Sequence, residues 1–226
     1  MNAQAAINIL MIISRGRRYI FVHIPKTGGT ALSLALESRA MADDILIGDT
    51  PKARRRRGRV KQLQAAGRLW KHATLADIGG VVSAAEMRDF YTFTLVRNPW
   101  DRMVSYYHWL RAQRFGHPAV TLATRLDFGA FVAHPQTVAS LRAAPYGQYM
   151  RDGTGQECAT QFIRIEHLAD EIVPFERHLG FSLGHIEPVN KSARARDYRG
   201  YYTDDTAALI GDIAAPDIAR FGYRFD

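Results

Sequence analysis

Three segments of this chain each join a short apolar run directly to a segment with helical periodicity. The apolar runs cover residues 19–24, 91–96 and 161–165, and the helical patterns that follow cover residues 31–38, 101–110 and 166–179. Continuous apolar runs of this length are typical of parallel strands whose two faces are both covered. Right-handed crossovers between such strands predict an α/β fold of P-loop-like type, with a central parallel β-sheet flanked by helices on both faces.

The turn after the first apolar run has the composition of an anion-binding loop. It reads Pro25-Lys26-Thr27-Gly28-Gly29-Thr30, and it lies where open α/β sheets bind ligands, at the carboxyl end of a strand. Two adjacent glycines let the backbone approach an anion and adopt positive φ. The helix that follows directs its free amides and its dipole to the same place. With the Lys26 ammonium and the hydroxyls of Thr27 and Thr30 as further donors, this loop is predicted to bind phosphate.

The order of residues in this loop separates it from a standard nucleotide-triphosphate loop. In the pattern G-x-x-x-x-G-K-[ST] the lysine follows the glycines, whereas Lys26 precedes Gly28 and Gly29. This order argues against an ATPase or a standard kinase. A kinase or another phosphotransferase with an atypical loop remains as an alternative.

The turn after the second apolar run offers a second candidate phosphate site. Asn98 is a suitable N-cap and Pro99 suits the first turn of a helix. Arg97 then lies at the end of the strand, and Ser105 lies eight residues later, a little over two helical turns along. An arginine fork and a hydroxyl can hold a phosphate together. A salt bridge at Arg97 and a surface role for Ser105 are the alternative interpretation.

One segment accounts for the whole net charge of +8. Residues 51–71 contain nine basic residues and no acidic ones, which leaves the rest of the chain at 8 − 9 = −1. A surface that is basic throughout, as in a general nucleic-acid-binding protein, is therefore not supported, and no nucleic-acid partner is expected. The basic segment could steer an anionic donor or acceptor toward a site. A non-catalytic protein that binds polyanions through this segment is a further alternative.

The length of 226 residues favours a single domain over residues 1–226, with segment 51–71 resembling an insertion and residues 203–226 forming a C-terminal helical tail. Residues 111–160 are expected to be mostly helical, and a short helix is expected to begin at Thr74. Cys158 is the only cysteine, so neither an intrachain disulfide nor a cysteine-rich zinc site can form. The apolar run at residues 9–13 is too short to cross a bilayer, so we expect no transmembrane segment and a cytoplasmic location.

With both turns in place, the chain resembles the PAPS-dependent sulfotransferases, in particular the carbohydrate branch that contains heparan-sulfate 2-O-sulfotransferase. The segments that carry this resemblance are 23–30 (HIPKTGGT), 96–102 (VRNPWDR), 162–168 (FIRIEHL) and the C-terminal pattern 190–192, 201–202, 217–218 and 221–223. Similarity therefore extends from about residue 19 to the end of the chain. The first two motifs are specific in combination, and the others support them.

The resemblance implies an α/β fold with a parallel sheet, PAPS as sulfuryl donor, PAP as product and no catalytic metal. It implies that Lys26, Thr27, Gly28, Gly29 and Thr30 bind the 5′-phosphosulfate and that Arg97 and Ser105 bind the 3′-phosphate. It also implies that Lys191 and Ser192 belong to a loop that closes over the nucleotide. With one cysteine and no anchor, the chain is expected to be a small soluble bacterial member. The expected acceptor is a hydroxyl of a glycan or glycolipid.

Sulfuryl transfer needs a group that stabilises the leaving phosphate and a base that takes the acceptor proton. Lys26 is the candidate for the leaving side. His72 is the candidate base, because the nearby cations and the helix expected at Thr74 both disfavour its charged form. His23 or a carboxylate is the alternative base. Oligomeric state and the identity of the acceptor are not determined by these residues.

Overall fold

The computed structural model describes residues 9–186, 194–195 and 197–226, so the predicted nucleotide residues Lys191 and Ser192 lie outside the described residues. The chain forms two compact units. The first combines residues 1–96 with 147–190, and the second combines residues 97–146 with 191–226. The single-domain interpretation stays a prediction, and each unit is described by itself below.

A five-stranded sheet is the centre of the first unit. Its strands are β1 (Leu10–Ser14), β2 (Tyr19–Val22), β3 (Ile45–Gly48), β4 (Tyr91–Val96) and β5 (Gln161–Arg164), in the order β3-β1-β2-β4-β5. Strands β2, β4 and β5 are the three predicted strands, and they pair in parallel. Strand β1 runs antiparallel to both β2 and β3, and neither β1 nor β3 was predicted. The prediction of an α/β fold with a parallel-rich sheet is confirmed.

Helices follow β2, β3, β4 and β5 and continue to the end of the chain. In chain order they are α1 (Thr30–Ser38), α2 (Pro51–Val60), α3 (Ala84–Asp89), α4 (Pro99–Arg111), α5 (Pro118–Arg125), α6 (Phe128–Ala133), α7 (Pro135–Arg142), α8 (Tyr146–Tyr149), α9 (Leu168–Glu171), α10 (Val173–Leu179), α11 (Asp204–Ile213) and α12 (Ala215–Phe221). The prediction that residues 111–160 are mostly helical agrees with α5 to α8. No helix in the described part of the chain is long and apolar enough to cross a membrane.

Both faces of the sheet are covered, as the continuous apolar strands require. One face packs against α1, α2 and α10; its buried residues are Leu10, Ile12, Tyr19, Phe21, Phe93, Leu95 and Ile163 from the strands with Leu32, Leu36, Ala53 and Phe175 from the helices. The other face packs against residues 73–82 and α3; its strand residues are Met11, Ile13, Ile20, Val22 and Ile47. Alternate residues of β1 and β2 therefore enter opposite layers, as the period of a strand dictates.

Two local helix predictions were wrong for identifiable reasons. No helix begins at Thr74: the Thr74 amide and the Asp77 carboxylate do form the expected hydrogen bond (2.7 Å), but the chain turns again at Gly80, where φ is +87°. The helix expected over residues 166–179 is divided into a 3₁₀ turn (Ile165–His167), α9 and α10, with a proline in the first turn of α10. Proline has no amide hydrogen to continue a helix that comes before it.

The second unit is helical. Helix α4 packs through Met103, Val104, Tyr107 and Leu110 on a core that includes Phe128 and Phe131 of α6 and Ile210 of α11. The predicted tail is present as α11 and α12, and Thr203 caps α11 by accepting a hydrogen bond from the Thr206 amide (3.3 Å). This core holds the start of α4, which contains the second predicted phosphate turn.

Candidate functional site

The loop between β2 and α1 has an unusual backbone. Gly28 has a φ of +79°, as expected for a glycine turn, but the second left-handed residue is Lys26, with a φ of +67°. A non-glycine residue in this region costs about 1 kcal/mol, so the surrounding structure must hold Lys26 there. Gly29 has an ordinary φ of −68°. The Thr27 hydroxyl donates to the carbonyl of Ile24 (2.9 Å) and so braces the loop from inside.

The first turn of α1 presents amide groups that no side chain caps. The first helical hydrogen bond runs from the Ser33 amide to the Gly29 carbonyl (2.8 Å), and within the described chain no side chain accepts a cap hydrogen bond at this end. The amides of Thr30, Ala31 and Leu32 therefore precede the first helical bond. Free amides and the positive end of the helix dipole favour an anion at this position.

His23, in the last polar position before the loop, is packed beneath Gly29. It is 1% exposed, and a Cβ built on Gly29 would lie 2.4 Å from its Cδ2 atom and 2.5 Å from its Nε2 atom. Only glycine fits at residue 29 for this reason, and not because of its φ. The pKa of His23 lies well below its usual value, mainly because the ring is buried. Positive charge on His72, Lys71 and Lys26 lowers this pKa further, and a hydrogen bond with the His23 carbonyl raises it only in part.

His23 gives a further sign that a polar ligand belongs at the loop. Its Nε2 atom is buried, lies against Gly29 and has no hydrogen-bond partner among the described residues. A buried polar atom without a partner costs about 1–3 kcal/mol. The residues of the loop thus fit an oxyanion: an uncapped helix end, a lysine and a buried imidazole are all located where phosphate was predicted to bind.

His72, the predicted base, is connected to this loop through His23. Its Nδ1 atom lies 3.0 Å from the His23 carbonyl oxygen and 3.1 Å from the His23 Nδ1 atom. The neighbouring Lys71 ammonium is paired with the Asp49 carboxylate (2.8 Å). The Trp70 and His72 rings are nearly perpendicular, with 5.0 Å between ring centroids. The structure therefore brings the first predicted turn and the predicted base together in one unit.

A cleft of about 600 Å³ runs along α2 and the end of β3; its lining includes Asp49, Arg57, Lys61, Arg68, Trp70 and Lys71. Trp70 is 39% exposed, and the Arg68 guanidinium lies 5.2 Å above its ring. Arg57, Lys61 and Arg68 are exposed and make no ion pair with a described carboxylate. The cleft is therefore cationic and has one aromatic surface.

The second predicted turn lies in the other unit, and residues of that unit form hydrogen bonds and ion pairs with its polar side chains. Asn98 caps α4 as predicted, since its Oδ1 atom accepts from the Trp100 amide (3.1 Å). The Arg97 guanidinium donates to Asp101 through Nε (2.8 Å) and Nη2 (2.6 Å). Asp101 also accepts a hydrogen bond from Arg194, and Ser105 is buried on α4. The salt bridge left open as an alternative for Arg97 is present.

Comparison with known proteins gives the family. A family model described as "Sulfotransferase family" matches residues 10–191. The chain belongs to the sulfotransferase family. No curated protein matches it. One of the solved structures that match is the crystal structure of mouse sulfotransferase SULT7A1 complexed with PAP, which is 14% identical, covers 90% of this chain and 84% of that chain, and has a TM-score of 0.44.

The predicted enzyme class, a sulfotransferase, is confirmed by this family, whereas the 2-O-sulfotransferase branch stays a prediction. The sequence reasoning on this sulfotransferase missed the contact between His23 and His72, the role of Gly29 and the pairing of Asp101. A signal for His23 was available, because it is a polar residue directly after an apolar strand and next to the loop. No group of His, Cys, Asp or Glu in the described part is arranged to hold a metal ion.

Proposed function

We propose that this sulfotransferase transfers a sulfuryl group from PAPS to a hydroxyl of a glycan or glycolipid. The observation that carries this proposal is the uncapped loop of the first unit, in which an anion-binding helix end is linked through His23 to a second histidine. Lys26 with Thr27, Gly28, Gly29 and Thr30 binds the 5′-phosphosulfate. Arg97 and Ser105, joined by Lys191 and Ser192, bind the rest of the nucleotide.

The reaction on these residues is an in-line displacement. The acceptor oxygen forms a bond to sulfur while the bond from sulfur to the bridging phosphate oxygen breaks, and its electron pair stays on PAP. Lys26 and the amides at the start of α1 stabilise the charge that develops on that oxygen. The proton of the acceptor hydroxyl passes to His72. The products are the sulfate ester and PAP.

The cleft lined by Trp70 supports a glycan as acceptor. Trp70 offers a flat apolar surface of the kind on which a sugar ring can lie, and it touches the proposed base. The exposed cations Arg57, Lys61 and Arg68 suit carboxylate or sulfate groups on neighbouring sugars. The acceptor is therefore proposed to be acidic, so that it reaches His72 along a surface of opposite charge.

The proposal is tested by separating chemistry from nucleotide binding. We expect His72→Ala to abolish sulfuryl transfer but leave PAP affinity within about threefold, because the base contacts the acceptor and not PAP. Lys26→Ala should lower turnover about 100-fold and weaken PAP binding as well. The exposed Arg88→Ala, in the same unit, is the matched control and should change neither. Normal turnover of His72→Ala would show that another group is the base.

Thermal-shift measurements distinguish the alternatives. Stabilisation of the purified protein by PAP without added metal supports the proposal. Stabilisation by ATP only when magnesium is present would indicate an atypical kinase. A protein that binds heparin but neither nucleotide, and loses this binding when residues 51–71 are replaced, would be a polyanion-binding protein.

A further inference from the structure

The contact between His23 and His72 shows which nitrogen of His72 carries a hydrogen atom. A carbonyl oxygen can only accept a hydrogen bond, and the His23 carbonyl lies 3.0 Å from the Nδ1 atom of His72. If that nitrogen carried a lone pair, two lone pairs would face each other at hydrogen-bond distance. The Nδ1 atom of His72 therefore carries the hydrogen.

This assignment fixes the state of the His72 ring. In neutral His72, hydrogen on Nδ1 leaves the lone pair on Nε2, which is the atom a general base needs. The Nδ1 atom of His23 lies 3.1 Å from the same hydrogen-bearing nitrogen and is placed to accept from it. With Nδ1 as the acceptor, the hydrogen of the buried, neutral His23 ring is on Nε2, the atom that lies against Gly29 and lacks a described partner.

We propose that His23 is a positioning residue with two ends: its Nδ1 atom and carbonyl hold His72 with the base lone pair on Nε2, and its Nε2–H donates to the anion bound in the loop. The base and the anion site are then connected through one ring. The role of His72 as base rests on the proposed function, but the assignment of the hydrogens does not. His23 is thereby removed as an alternative base, because its lone pair is already engaged by His72.

Two substitutions separate the two ends of His23. In His23→Asn the side-chain oxygen replaces the Nδ1 acceptor, and nothing replaces the Nε2–H donor. In His23→Gln the amide nitrogen reaches the Nε2 position, and the Nδ1 acceptor is lost. His178→Asn, at an exposed histidine of the same unit, is the control, and unfolding temperatures of all variants report whether each one folds.

We expect His23→Asn to keep kcat within about threefold and to lose about tenfold in PAP affinity, since only the anion donor is missing. His23→Gln should show the reverse, with PAP affinity retained and kcat lowered about tenfold or more. Equal losses in both variants would overturn the division of roles. Unchanged PAP affinity in His23→Asn would overturn the donor end.

Nitrogen NMR of the wild-type protein tests the hydrogens without any turnover. The ¹⁵N shifts should show a protonated Nδ1 on His72 and a protonated Nε2 on His23, and added PAP should move the His23 Nε2 signal. The opposite tautomer on His72 would overturn the positioning role even if every variant failed to fold. If the protein has these tautomers but does not transfer sulfate from PAPS, the proposed function is wrong and the tautomer assignment stands.

Discussion

The two predicted phosphate turns, one in each compact unit, follow similar strand endings but treat their polar groups in opposite ways. Before α4, Asn98 caps the helix and Asp101 pairs with Arg97 and Arg194. Before α1, no described side chain caps the helix, and the buried Nε2 atom of His23 has no described partner. The first turn keeps donors available for a ligand, whereas the second turn provides its own acceptors.

The difference shows that two turns with similar phosphate-binding motifs can differ in how strongly they bind a phosphate. An anion at the first turn gains hydrogen bonds from the amides at the start of α1 and from the buried His23 Nε2 atom without first displacing a described acceptor. A turn with an internal carboxylate must exchange one anion for another. We therefore expect the loop at Lys26 to supply most of the affinity for PAP and the turn at Arg97 to supply less.

The largest effect on this difference between the two turns is expected from a substitution that fills the space between the first turn and His23. In Gly29→Ala the new Cβ would overlap His23, so either the loop or the ring must move. We expect turnover with PAPS to fall about 100-fold, since displacements near 1 Å have effects of this size. Gly58→Ala is the control: a Cβ there meets nothing within 4 Å on α2, and it should raise the unfolding temperature. Wild-type turnover by Gly29→Ala would contradict the close contact.

The second turn can be tested from both partners of its ion pair. Arg97→Ala should weaken PAP binding roughly tenfold, by loss of charge-assisted hydrogen bonds. Asp101→Asn should strengthen PAP binding a few-fold, because the competing carboxylate charge is removed, and should lower the unfolding temperature, because two ion pairs are lost. Calorimetric titration with PAP measures both effects. Weaker binding by Asp101→Asn would mean that Asp101 positions Arg97 and does not compete for it.

The smallest effects are expected in the cleft, which contacts only the acceptor in the proposed function. Arg57→Ala, Lys61→Ala and Arg68→Ala should each raise KM for an acidic glycan about two- to fivefold and leave KM for PAPS unchanged. Added salt should reduce the difference from wild type. Arg55→Ala, exposed on the same helix but outside the cleft lining, is the control. An equal loss in that control would assign the effect to net charge and not to the cleft.

Much of the fold could be predicted because it depends on local pattern. The apolar runs predicted β2, β4 and β5, and β4 has the predicted bounds. Strands β1 and β3 were not predicted, because no apolar helical pattern follows either of them: β1 is followed directly by β2, and the helix after β3 is mostly basic. The helix expected at Thr74 failed at Gly80, where the left-handed backbone makes a further turn.

The residues next to one another in sequence determined the loop around Lys26, the cap at Asn98 and the family to which the chain belongs. Tertiary structure alone decided what lies against those residues. His23 and His72 are 49 residues apart in sequence, and their contact exists because the chain after the basic segment returns to the end of β2. Hydrogen-bond direction in that pair depends on atoms that only the fold brings within 3.1 Å, so no sequence pattern could assign it.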